Sequence, residues 1–96
     1  MSEVRKTPQF QKWLENLKDP KAYARIEIRL FRLALGLAGD VKPVGRGVSE
    51  LRIDYGPGYR IYFTRQGLSL ILLLVGGDKS TQAKDIQSAI KLASSL

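Results

Sequence analysis

Cysteine and histidine are both missing from this 96-residue chain. Without cysteine there is neither a disulfide framework nor a thiolate zinc site. Without histidine the usual transition-metal ligand is gone, and with it the commonest acid–base side chain. Acidic residues are scarce, nine Asp/Glu against sixteen Lys/Arg, for a formal charge of +7. Such a surplus favours polyanions or an acidic protein as partners, through steering and counterion release. The longest apolar run, Leu68 to Val75, is interrupted by Ser69 and is far too short to span a bilayer. The opening Met1-Ser-Glu-Val-Arg-Lys6 lacks the apolar centre of a signal peptide, so a soluble cytoplasmic protein without membrane association is expected. With 44% hydrophobic and 26% charged residues, the chain has the composition of one globular domain over residues 1–96.

Periodicity supplies the elements. Glu3 to Thr7 reads as a short strand ended by Pro8. Phe10, Trp13, Leu14 and Leu17 fall on one stripe of an amphipathic helix, with Trp13 in the core. Asp19 is placed to cap a second helix that has Pro20 at its first position. That helix is expected to bury Tyr23, Ile26, Leu30, Leu33, Ala34 and Leu37, and to end near Gly36 and Gly39. So short a connection predicts a helical hairpin. Its polar side carries Lys21, Arg25, Arg29 and Arg32, read either as a solvated face or as a surface for docking RNA.

From Asp40 the period changes to two. Val41 to Val44 reads as an edge strand, because Pro43 cannot donate to a central ladder. Gly45-Arg46-Gly47 is a turn. Leu51, Ile53 and Tyr55 alternate with Glu50, Arg52 and Asp54, and Tyr59, Ile61 and Phe63 alternate with Arg60, Tyr62 and Thr64. Leu68 to Val75 suits a strand covered on both faces. Gly76-Gly77-Asp78-Lys79 is expected to leave the sheet, after which Ser80 or Thr81 caps a last helix with Ile86, Ala89, Ile90 and Ala93 on one face. The expected class is α+β in the order β-α-α-β-β-β-β-α, with the helical hairpin packed on a mainly antiparallel sheet of four to five strands.

Matching the apolar faces of the hairpin strands pairs Ile53 with Ile61 and Leu51 with Phe63 around a three-residue Gly56-Pro57-Gly58 loop. Arg52 then faces Tyr62 and Asp54 faces Arg60, on the surface away from the apolar set. Lys79 is a further cation that can approach this surface. Arginine's planar fork suits a phosphodiester, and a cross-strand Asp54–Arg60 ion pair is the bland reading of the same register.

The segments Gly47 to Phe63, Leu72 to Gln82 and Asp85-Ile86, with Asp40 to Gly45 and Phe10 to Leu14, resemble the addiction-module toxins of the RelE/ParE superfamily, in its HigB-like branch. The resemblance spans nearly the whole chain. It implies a type II toxin neutralised by a cognate antitoxin, often a HigA-like helix-turn-helix protein, with the ribosome and mRNA as further partners. It also implies an mRNA endoribonuclease that needs no metal or other cofactor. ParE-like members instead inhibit DNA gyrase, and a homologue that only binds antitoxin is a third reading. Carried over by motif, Arg60 contacts the scissile phosphate, Arg52 is the cation of the preceding strand and Lys79 the cation after the last one. Tyr62 and Tyr55 are candidates for base stacking or proton relay. Related toxins use a C-terminal tyrosine or histidines as acid–base groups. This chain has no histidine and no tyrosine after Tyr62, so the resemblance assigns no general base.

Overall fold

In a computed structural model describing residues 1–96, the elements run β1 (Glu3–Lys6), α1 (Pro8–Glu15), α2 (Pro20–Ala34), β2 (Val41–Gly45), β3 (Val48–Ile53), β4 (Tyr59–Gln66), β5 (Leu70–Asp78) and α3 (Gln82–Ser94), with a 3-10 turn at Lys79–Thr81. This is the expected α+β order. The five strands form one sheet in the order β1-β5-β4-β3-β2, antiparallel except for the β1–β5 pair. Pro43 sits on edge strand β2, where its missing N–H costs no central hydrogen bond.

Helix starts follow local chemistry. Thr7 accepts a hydrogen bond from Phe10 N at 3.0 Å and Asp19 one from Lys21 N at 2.9 Å, each just before a helix-initiating proline. α2 stops at Ala34, and Gly36 follows at φ 84°. Leu37 therefore lies beyond the helix and is 64% exposed, and Tyr23 is 42% exposed. Ile26, Leu30, Leu33 and Ala34 are buried as expected, and Ala22 takes the place of Tyr23 at the start of the stripe.

Both faces of the sheet are packed. On one, Phe10 and Leu14 of α1 and Ile26, Leu30 and Leu33 of α2 meet Leu51, Ile53, Ile61, Phe63, Ile71 and Leu73. Trp13 and Leu17 pack partly buried against this cluster. On the other, α3 lays Ala89 on Val48, Tyr62 and Leu74, flanked by Ile86, Ile90 and Ala93. β5 is thus covered on both sides, as its unbroken apolar run requires.

Two local features differ from expectation. β5 continues through Gly76 and Gly77 to Asp78 instead of ending before them. A bulge lets Tyr62 pair with Val75 and Phe63 with Leu73, so Leu74 is extra and the in–out alternation resets. Gly76 then lies under Trp13, where an added Cβ would be 2.2 Å from the indole. Gly77 faces the other way, where a Cβ would be 1.9 Å from Asp85 Oδ2. These glycines are strand residues demanded by close packing, not exit-turn residues. The hairpin register also differs: Leu51 pairs with Ile61, Arg52 with Arg60 and Glu50 with Tyr62, leaving a five-residue loop from Asp54 to Gly58. The shift is two residues, so every side chain keeps its face and changes only its partner.

Candidate functional site

α3 covers only part of its side of the sheet. Beyond its N-terminus a cavity of about 470 Å³ remains, lined by Asp40, Arg52, Asp54, Gly56, Pro57, Gly58, Arg60 and Lys79. No lining residue is hydrophobic. The three cations expected on this surface do converge here, brought by β3, β4 and the turn after β5. The loop tightens around them because Gly58, at φ 81°, has no side chain. A Cβ there would stand 3.4 Å from Arg60 Nη1 and 3.5 Å from Lys79 Cβ. Lys79 is exposed at the start of a turn fixed by Asp78, whose Oδ1 accepts from Ser80 N at 2.8 Å. Asp78 caps only this 3-10 turn; Thr81 occupies the N-cap position of α3, one of the two expected, but its Oγ1 makes no capping bond and donates to Asp85 Oδ2 at 2.5 Å.

Arg52 is fixed by its backbone and its side chain. Its N–H donates to Asp40 O at 2.9 Å and its carbonyl accepts from Arg29 Nη1 at 2.9 Å. Its guanidinium donates to Asp40 Oδ1 from Nη2 at 2.8 Å and from Nε at 3.2 Å. That hydrogen bond holds the Asp40 carboxyl below its ordinary range and pushes the Arg52 guanidinium further up. The pair is open to solvent, so it orients more than it stabilises.

Arg60 is the most enclosed of the three, with its side chain 12% exposed. Its Nη1 donates to Tyr59 O at 3.1 Å. Its buried Nε has no hydrogen-bond acceptor, and the ion-pair partner, Glu50 Oε1, stands 4.0 Å away. Arg60 does not pair with Asp54, as a three-residue loop would have it. Asp54 is exposed in the loop and belongs to none of the chain's three ion pairs.

Neither candidate tyrosine reaches the cavity. Tyr62 is fully buried under α3 and donates to Glu50 Oε2 at 2.9 Å, so it cannot stack a nucleobase. Burial first, and the Glu50 hydrogen bond second, push its phenol far above the ordinary range. Tyr55 belongs to the opposite core, where it donates to Asp19 Oδ2 at 3.1 Å and lies under Arg25, 4.5 Å from guanidinium to ring centroid. Burial raises its phenol as well, helped by the Asp19 hydrogen bond. Of the helical basic stripe, Arg29 is half-buried and donates to the carbonyls of Arg52 and Ala38, which ties it to the back of the site, while it still lines a surface pocket with Arg25 and Arg32. Lys21, Arg25 and Arg32 are exposed.

No known family profile matches the chain. An uncharacterized protein of Haemophilus influenzae is 49% identical to it over 94 residues, which covers 98% of this chain and 95% of that protein. The chain belongs to that protein's family. The aligned region runs over nearly the full length of both chains, so it takes in the helices as well as the hairpin.

The site also contains residues that strand patterning did not single out. Asp40 and Asp54 line it, and Glu50 with Gln82 stands directly behind Arg60. Glu50 was readable only as a solvent-facing residue of an alternating strand. The signal that it is covered lay elsewhere, in the apolar face of α3, which had to cover neighbouring strands besides β5.

Proposed function

We propose that this protein is the toxin of a type II toxin–antitoxin pair, a metal-independent mRNA endoribonuclease that acts on the translating ribosome. The observation that carries this reading is the polar cavity holding Arg52, Arg60 and Lys79. Within the lining, three cations face the two carboxylates of Asp40 and Asp54, a surplus of one positive charge before the buried Glu50 beside Arg60 is counted. The likeness of the hairpin and of the Lys79 segment to RelE-type toxins supplies the reaction class.

The chemistry is in-line attack by the ribose 2′-oxygen on the adjacent phosphorus. The new 2′-O–P bond forms as the P–O5′ bond breaks, giving a 2′,3′-cyclic phosphate and a 5′-hydroxyl. Arg60 and Arg52 stabilise the charge that grows on the phosphoryl oxygens. Asp54, the cavity carboxylate outside any ion pair, receives the 2′-proton, and Lys79 gives a proton to the departing 5′-oxygen. With no aromatic side chain in the lining, the cavity grips backbone and leaves base recognition to the ribosomal decoding context. Lys21, Arg25 and Arg32 offer a separate basic face to ribosomal RNA. The site of action is the cytoplasm, and the cognate antitoxin, a helix-turn-helix HigA-like protein, keeps the toxin inactive.

Purified protein added to translating ribosomes in EDTA-buffered, magnesium-controlled medium tests the chemistry. Cut messages ending in 2′,3′-cyclic phosphate are expected, with a rate loss of ~100-fold or more in Arg60→Lys, which keeps charge but not the planar fork. Intact messages together with stalled DNA gyrase complexes would assign the chain to the ParE-like activity instead.

A further inference from the structure

We infer that Glu50 is a positioning residue for Arg60, aiming the guanidinium into the cavity from behind the sheet; this rests on the cavity being a phosphodiester site. Glu50 is 1% exposed, yet it lines no part of the cavity. Its Oε2 accepts from Tyr62 Oη at 2.9 Å and from Gln82 Nε2 at 2.8 Å. Those two donors, one from β4 and one from the first turn of α3, fix the carboxylate. Its other oxygen, Oε1, is left directed at Arg60 Nε, 4.0 Å away. Arg60 Nε is buried and finds no hydrogen-bond acceptor.

A buried carboxylate needs a nearby cation, and Arg60 is the one paired with it. The guanidinium is therefore held by Glu50 on its Nε edge and by Tyr59 O through Nη1. The remaining N–H groups are free for phosphate, and closure of the 4.0 Å gap on ligand binding would complete the Glu50–Arg60–phosphate line. Because Gln82 belongs to α3, the seating of that helix and the aim of Arg60 are one arrangement.

The sign of the effect separates this role from simple electrostatics. Glu50→Gln removes a negative charge beside the cavity, which by charge alone strengthens RNA binding. A positioning role predicts the opposite. Binding of a non-cleavable 2′-O-methyl RNA is expected to weaken roughly tenfold, the scale seen where a second layer of residues orients metal ligands. In an Arg60→Lys background the same substitution should add little, because its target is gone. Independently of RNA, the Arg60 Nε–H resonance, identified by its loss in Arg60→Lys, should exchange more slowly in wild type, where the Glu50 carboxylate 4.0 Å away opposes loss of the proton, than in Glu50→Gln. Should Glu50→Gln not fold, Gln82→Ala, which removes one donor and leaves the charge, is expected to shift both readouts in the same direction. Tighter or unchanged binding, full additivity with Arg60→Lys, or equal Nε–H protection would overturn the inference. If wild-type protein binds no RNA, the phosphodiester reading fails, while Nε–H protection still decides whether Glu50 holds Arg60.

Discussion

Arg52 gives both Nη2 and Nε to a single oxygen of Asp40, at 2.8 and 3.2 Å. A guanidinium engaged in this way is oriented but partly neutralised, so Asp40 tempers the charge of the cavity. Replacing Asp40 with Asn is expected to steepen the salt dependence of RNA binding by about 0.7 in log–log slope, the increment for one more phosphate neutralised on a single strand. Titrations of a non-cleavable RNA at several salt concentrations measure this. An unchanged slope would mean that Arg52 does not reach phosphate.

The same pair sets a pH dependence on the acid side. The folded-state Asp40 carboxyl titrates below its ordinary 3.8, because Arg52 hydrogen-bonds its charged form. Its contribution to stability is therefore present above that value and lost as pH falls through the lower folded one. Asp40→Asn should show a shallower loss of stability in this acid window, read by denaturant unfolding at a series of pH values.

Tyr62 makes the complementary prediction on the alkaline side. Its phenol is raised well above 10.0, so the unfolded chain ionises first and stability must fall as pH climbs past about 10. At neutral pH, Tyr62→Phe should cost about 1–3 kcal/mol by leaving Glu50 short of a donor in a buried setting. The gap between wild type and variant should narrow above pH 10, since phenylalanine has nothing to ionise. A constant gap would place the Tyr62 hydroxyl in solvent.

Gly76 and Gly77 test the packing that carries Lys79 to the cavity. Gly76→Ala drives a methyl into the face of Trp13 and should cost about 1–3 kcal/mol, with Tm falling by roughly 4–8 °C per kcal/mol. Gly77→Ala meets the end of the Asp85 side chain, which can rotate away, so its effect should be the smaller of the two. Thermal unfolding of both variants ranks them.

Much of this architecture was legible in the sequence because two periods write it down. Apolar residues at helical spacing located the helices, and strict alternation assigned Arg52 and Arg60 to the face away from the larger core. Alternation fixes only parity, however. A three-residue loop and the five-residue Asp54–Gly58 loop place the same residues on the same faces, so the partner of each arginine was not determined. Parity also says nothing about what covers a face. Tyr62 and Glu50 alternate like solvent-facing residues, and only the docking of α3 turns them into a buried pair. The bulge at Leu74 was hidden for a related reason, since a run that is apolar throughout shows no break when its alternation slips by one residue. Arg29 looked like its neighbours on the basic stripe, and the carbonyls of Arg52 and Ala38 that hold it come from distant or irregular chain.

The most direct test of the proposed toxin activity is to express the chain alone and map RNA 5′ ends across the transcriptome, beside Arg60→Lys expressed to the same level. Growth arrest with new 5′-hydroxyl ends inside translated messages, absent from the variant, is the predicted result. Arrest with intact messages, or cutting that persists undiminished in Arg60→Lys, would contradict it.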